Sequence, residues 1–186
     1  MSPYQLKKLL RRGGKKFFLP LLACLLVSFF YGCGYHLKGG ADTLPKDITA
    51  IAIEAFGNNS IEADMEALIS SALFEAFSKT KRLKIVPQEE AHALLSGVIT
   101  SISNMPVSFS STDVVTDYRL TITLDVTFRR KGEGEVVWKG KGLSEIMDYK
   151  AAAGDVDLTE NNRTEAKREL AREVADLIYD RIFEGF

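Results

Sequence analysis

The sequence predicts an α+β fold, a two-layer α/β sandwich with two helices packed on one face of a mixed sheet of four to five strands. Three observations carry that expectation. Tyr118, Leu120, Ile122, Leu124, Val126 and Phe128 alternate with Arg119, Thr121, Thr123, Asp125, Thr127 and Arg129 without an error, the period of a half-buried strand. Two other stretches, 61–77 and 166–182, repeat apolar residues at steps of three and four, the period of an amphipathic helix. The first of these stretches lies between two β-branched runs, so the chain opens as a β-α-β unit with parallel strands and goes on as a meander closed by the second helix.

Ile48 to Phe56, ITAIAIEAF, reads as the first strand, and Gly57-Asn58-Asn59 as a turn after it. Asn59 followed by Glu62 has the spacing of a capping box. Ile61, Met65, Leu68, Ile69, Ala72, Leu73, Ala76 and Phe77 then form one apolar stripe along a helix of about five turns. Lys79 and Lys81 place positive charge at its carboxyl end, where the helix dipole favours it. Leu83 to Val86 is the second strand, Gln88 to Ala93 a short helical segment, and Leu94 to Met105 a third strand of weaker alternation. The alternating run is the fourth. Lys131-Gly132-Glu133-Gly134 turns the chain into a fifth, Glu135 to Ile146, followed by a loop from Asp148 to Asn162. Ala166, Leu170, Val174, Leu177, Ile178 and Ile182 define the closing helix, with its cap expected near Asn162 and Glu165 at the third position.

The formal net charge of −1 hides a division. Lys7, Lys8, Arg11, Arg12, Lys15 and Lys16 precede any acid, and taking these six from the 24 Lys and Arg leaves 18 against 25 Asp and Glu. Residues 17–31, FFLPLLACLLVSFFY, are uncharged, the length of a signal peptide and short of the roughly 20 apolar residues of a membrane span. Gly32-Cys33-Gly34 follows and resembles the bacterial lipobox, with Phe30 and Tyr31 where Leu and a small residue are usual. Cys24 lies inside the apolar run, so the exported part keeps one thiol and no internal disulfide. Acylation is the natural cap for that thiol: an S-diacylglycerol and an N-acyl chain on Cys33 anchor the chain to a membrane without any cofactor. The expected division is 1–32 as a signal peptide that is removed, 33–47 as a lipidated linker and 48–186 as one domain. Gly34, where inner-membrane retention would place Asp, favours the periplasmic face of the outer membrane by that same resemblance.

Composition excludes several functions. An acidic domain is ill suited to nucleic acid, whose phosphates reward a basic face. His36 and His92 are the only histidines, too few for a zinc or iron site once one cysteine is left. Ser108, Ser110 and Ser111 belong to no nucleophile elbow and have no histidine placed to activate them. Gly39-Gly40 and Gly132-Glu133-Gly134 do not lead from a strand into a helix, as a phosphate loop does. No catalytic residue can be named, and the sequence reads as that of a binding module rather than an enzyme.

Cys33 followed by Gly34-Tyr35-His36-Leu37 and then Leu44-Pro45 resembles the LPS-assembly lipoprotein family, LptE, whose mature proteins begin Cys-Gly-aromatic-His-Leu. The element order agrees along the whole chain, and Asp117-Tyr118 matches an acid-Tyr pair on a meander strand of that family. The resemblance implies a non-enzymatic partner of the β-barrel LptD that helps assemble it, plugs its lumen and binds lipopolysaccharide on its way to the cell surface. By position, Lys139 and Lys141 are the nearest counterparts of the family's basic contact residues, and Arg119 and Arg129 lie on the polar side of the neighbouring strand. The stretch before Tyr118, SFSSTDVVTD, lacks the cation that members of that family can carry there. A rival reading remains: FGNNSIEADMEALISSALFEAFSKTKRLKIV also resembles the opening of outer-membrane lipoproteins that activate peptidoglycan synthases or assemble secretion pores. Tyr118 and Trp138 are expected in the core.

Overall fold

The structure, a computed structural model, describes residues 44–132 and 134–184, all within one compact unit. Cys33 and the Gly34, Tyr35, His36, Leu37 motif lie outside the described residues. Eight elements follow one another: β1 (Ala50–Ile53), β2 (Gly57–Asn58), α1 (Met65–Thr80), β3 (Lys84–Ile85), β4 (Ala93–Phe109), β5 (Val115–Arg130), β6 (Val136–Lys150) and α2 (Val156–Glu184). They form the expected sandwich of two helices on one face of a mixed sheet.

The sheet runs β3-β1-β4-β5-β6, with β2 added beside β4. β1 pairs in parallel with both β3 and β4, because α1 carries the chain back between them, while β4, β5 and β6 form an antiparallel meander. Leu120, Ile122, Leu124, Val126 and Phe128 of β5 are buried towards the helices. Their partners on α1 are Met65, Ile69, Leu73 and Phe77, one residue per turn. Ala166, Leu170, Val174, Ile178 and Ile182 of α2 complete the core. Phe77 meets Tyr179 edge-on at 5.1 Å between centroids, joining the carboxyl-terminal halves of the helices. At their other ends Glu62 takes Arg163 and Lys167, so α1 and α2 run side by side in the same direction.

Phe56 is buried against β4 because Gly97 leaves room for its ring. A Cβ at position 97 would come within 2.2 Å of the Phe56 Cε1 atom.

Several local expectations are corrected. Gly57 and Asn58 are not a turn but a short strand parallel to β4, paired with Val98 and Ile99. The capping box does not form: α1 begins at Met65 after Asp64 in the left-handed region, with no side-chain cap. Asn58 organises the loop instead, donating from Nδ2 to the Glu62 carbonyl and to Glu66 Oε2, each over 2.7 Å. Ile61 therefore precedes the helix and is 97% exposed, outside the stripe it was expected to join. Gln88 to Glu90 form a turn rather than a helix, because Ala91 to Ala93 are already drawn towards the sheet by the bond from His92 N–H to the Ala50 carbonyl.

The largest correction lies between β6 and α2. Asp148 to Lys150 are strand, paired with Arg119 to Asp117, and α2 starts at Val156 rather than near Asn162. Asp155 Oδ1 accepts the Leu158 N–H over 2.9 Å, which is the N-cap bond. Asn162 sits inside the helix and donates to the Lys150 carbonyl, tying α2 to the end of β6.

Candidate functional site: the open face of the meander

Alternation along β5 sends its second set of side chains away from the helices. Arg119, Thr121, Thr123, Asp125, Thr127 and Arg129 stay partly exposed on that face. The register builds rows across three strands. Ser103, Thr121 and Ile146 share one, Ser101, Thr123 and Ser144 the next, and Ser96, Thr127 and Lys139 a third. Hydroxyls and a few cations thus cover a surface that no element among the described residues occupies.

The four candidate cations divide into two kinds. Arg119 donates from Nε to Asp148 Oδ1 and from Nη2 to Asp148 Oδ2, both over 2.7 Å. This bidentate grip holds the Asp148 carboxyl below its ordinary range and raises the guanidinium above its own. Arg129 reaches Glu54 over 3.2 Å. Lys139 and Lys141 are exposed and make none of the ion pairs found among the described residues. Lys139 lies opposite Thr127. Lys141 sits in the bulge between the Leu124–Leu143 and Val126–Gly140 pairs, where the Gly142 N–H donates to Asp125 Oδ1 over 2.8 Å. Gly142 has φ of 61°, a conformation that suits glycine, so the bulge and the lysine's position follow from the Lys-Gly-Lys-Gly spacing of 139–142.

Other singled-out residues are structural. Tyr118 stacks on Tyr149 directly opposite, 5.4 Å between centroids, and Asn104 Nδ2 donates to the Tyr149 hydroxyl over 2.8 Å. Burial raises that phenol. Asp117 is held below its ordinary range chiefly by the Lys150 ammonium, 2.6 Å away, and by the Thr116 hydroxyl. Trp138 packs against the core beside Phe128. Ser110 Oγ accepts the N–H groups of Thr112 and Val114 and so closes the β4–β5 turn. His92 Nδ1 accepts the Thr49 N–H over 3.3 Å.

Sequence reasoning missed the partners of the arginines. Asp148 falls in a stretch whose sequence pattern predicts a loop, and Glu54, 75 positions from Arg129, has no local signal. Among the described residues no group of three His, Cys, Asp or Glu could hold a metal, and no helix is long and apolar enough to cross a membrane.

No curated protein matches the chain by sequence. Among solved structures it is similar to a minor lipoprotein from Acinetobacter baumannii, at 12% identity over 74% of this chain and 92% of that one, with a TM-score of 0.51. Rare lipoprotein B from Shewanella oneidensis also matches, at 17% identity over 70% and 89% of the two chains, with a TM-score of 0.46. At these identities the likeness is one of fold, and it rests on the Acinetobacter protein. The family comparison reaches further, since the sequence pattern of LptE, lipopolysaccharide-assembly, matches residues 48–182. That stretch spans β1 to the last turn of α2 and more than two thirds of the sequence, and the chain belongs to the LptE family of lipopolysaccharide assembly.

Proposed function

We propose that the chain is a non-enzymatic outer-membrane lipoprotein, anchored on the periplasmic side by the lipid on Cys33. It works with a β-barrel of the LptD kind, assisting its assembly, plugging its lumen and binding lipopolysaccharide for insertion at the cell surface. Family membership supports the assembly role. The open meander face is the observation that carries the rest.

A lipopolysaccharide offers phosphates and sugar hydroxyls, and it is recognised by cations and by groups that both donate and accept hydrogen bonds. Lys139 and Lys141 supply charge that no ion pair among the described residues takes up, and the rows of Ser and Thr supply hydroxyls beside them. Arg119 and Arg129 would have to give up Asp148 and Glu54 to take a phosphate, so they contribute less than the lysines. With the signal peptide removed the chain is acidic, which leaves anion binding to local cations rather than to the overall field.

Photocrosslinking in intact cells tests this reading. A crosslinking residue placed singly at Thr121, Thr127 or Lys139 is expected to capture an outer-membrane barrel and lipopolysaccharide, while one at Glu173 on the outside of α2 captures no lipopolysaccharide. Adducts absent from the sheet face would overturn it.

A further inference from the structure

No strand among the described residues covers the outer edge of β4 over its distal half. β1 accompanies β4 to Leu95 and β2 to Ile99, where the Asn59 N–H donates to the Ile99 carbonyl over 2.9 Å. From Thr100 to Phe109 no strand among the described residues takes that edge, while β5 fills the other. An unpaired edge is a template for another strand, and proteins blunt such edges with charge. β6, on the opposite side of the sheet, does so with Lys139, Lys141, Glu145, Asp148 and Lys150. β4 does not: from Ala93 to Thr112 there is no Asp, Glu, Lys or Arg. Its distal half instead exposes Met105 (62%), Val107 (40%) and Phe109 (57%), and Ile61 stands exposed in the loop that leaves β2 where the edge opens.

Backbone chemistry selects the occupant. A row of free N–H and C=O groups has no partner in a hydrocarbon surface, whereas an extended strand satisfies it. Between the register shifts at Ile99/Ser101 and Pro106/Ser108 the edge is regular for six residues, Ser101 to Pro106. Pro106 lacks an N–H and ends the donor row. Ser103 lies near the middle of that stretch. A second copy laid antiparallel about Ser103 meets the same uncharged row, opposes no like charges and leaves both irregularities outside the ladder.

We propose that this edge is a self-association surface: two copies of the chain pair β4 to β4, antiparallel about Ser103, in a two-fold dimer. The paired stretch is short of a standard interface of about 1,600 Å², so the dimer forms in the micromolar range and comes apart on dilution. Tethering on one membrane face raises the local concentration and favours it. The hydrogen bonds of the pairing use the strand edge, but Ser103 and Met105 also stand on the open face opposite Thr121 and Arg119, so the pairing is tested on chain stripped of lipopolysaccharide.

Sedimentation of the full lipidated chain, purified in detergent free of any barrel partner and of lipopolysaccharide, tests it. A monomer–dimer equilibrium is expected, and the double variant S103K/M105K should raise the dissociation constant about tenfold or more with the far-ultraviolet circular dichroism unchanged. S103C should give a disulfide-linked dimer that the unsubstituted chain does not, and K139E on the opposite edge should leave the equilibrium alone. A chain that stays monomeric throughout the micromolar range, or a dimer that survives S103K/M105K or is lost with K139E, would overturn the proposal.

Discussion

Arg119 of β5 grips Asp148 of β6 through two parallel hydrogen bonds of 2.7 Å, and this pair closes the distal row of the open face. The contact neutralises a cation that the sequence offers as a phosphate ligand. It leaves the charge available for an anionic ligand on Lys139 and Lys141, further along β6.

The first expectation concerns those lysines. Replacing both by glutamate is expected to weaken binding of labelled lipopolysaccharide to the full chain by about tenfold or more, the scale of losing charge-assisted hydrogen bonds. Arg119→Ala should change it by less than about threefold, since that guanidinium is already engaged. Equal losses in the two variants would contradict the division between free and paired cations.

Acid sensitivity follows from the depressed carboxylates. Asp148 is held below its ordinary value of 3.8 by Arg119, and Asp117 by Lys150. A carboxylate with a folded pKa below its unfolded one contributes stability that is present above the unfolded value and is lost as pH falls through the folded one. The melting temperature should therefore be level above about pH 5 and decline below about pH 4. The double variant D117N/D148N should show a shallower decline on the acid side, and an unchanged slope would remove these pairs from the account.

Core packing gives a contrast between two phenylalanines. Phe128 is fully buried between the sheet and the helices, whereas Phe74 on α1 is 57% exposed. Phe128→Ala is expected to cost about 3–5 kcal/mol of unfolding free energy. Phe74→Ala should stay within about 0.5 kcal/mol. Chemical denaturation of the two variants measures both.

The start of α2 depends on Asp155. Asp155→Ala removes the acceptor for the Leu158 N–H and is expected to cost about 1 kcal/mol, with fraying confined to the first turns. Hydrogen exchange along residues 156–162 would report it, and unchanged protection there would show that the Asn162 bond to Lys150 suffices.

The alternation of 118–129 was legible because one face of β5 is buried along most of its length, so burial and sequence period coincide. The parallel start was legible because α1 has one stripe and short strands on either side. The rows of the open face were not. Counting outward from the turn at Gly132 would set Arg119 against Ile146, and two register shifts in the β5–β6 ladder carry it to Asp148 instead. Bulges add residues that a period of two cannot reveal, and β6 carries glycines at 140 and 142 where one of them occurs. The exposed distal half of β4 escaped for another reason: Ser-Ile-Ser-Asn-Met-Pro-Val reads as weak alternation, and only the register shows that no described strand pairs with its outer edge.

The central claim is that this chain assembles with an outer-membrane barrel and carries lipopolysaccharide. Affinity purification of the tagged full chain from detergent-solubilised outer membranes tests it most directly. A stoichiometric β-barrel together with lipopolysaccharide is the predicted result. Recovery of the chain without a barrel partner, under conditions that keep other outer-membrane complexes intact, would contradict it.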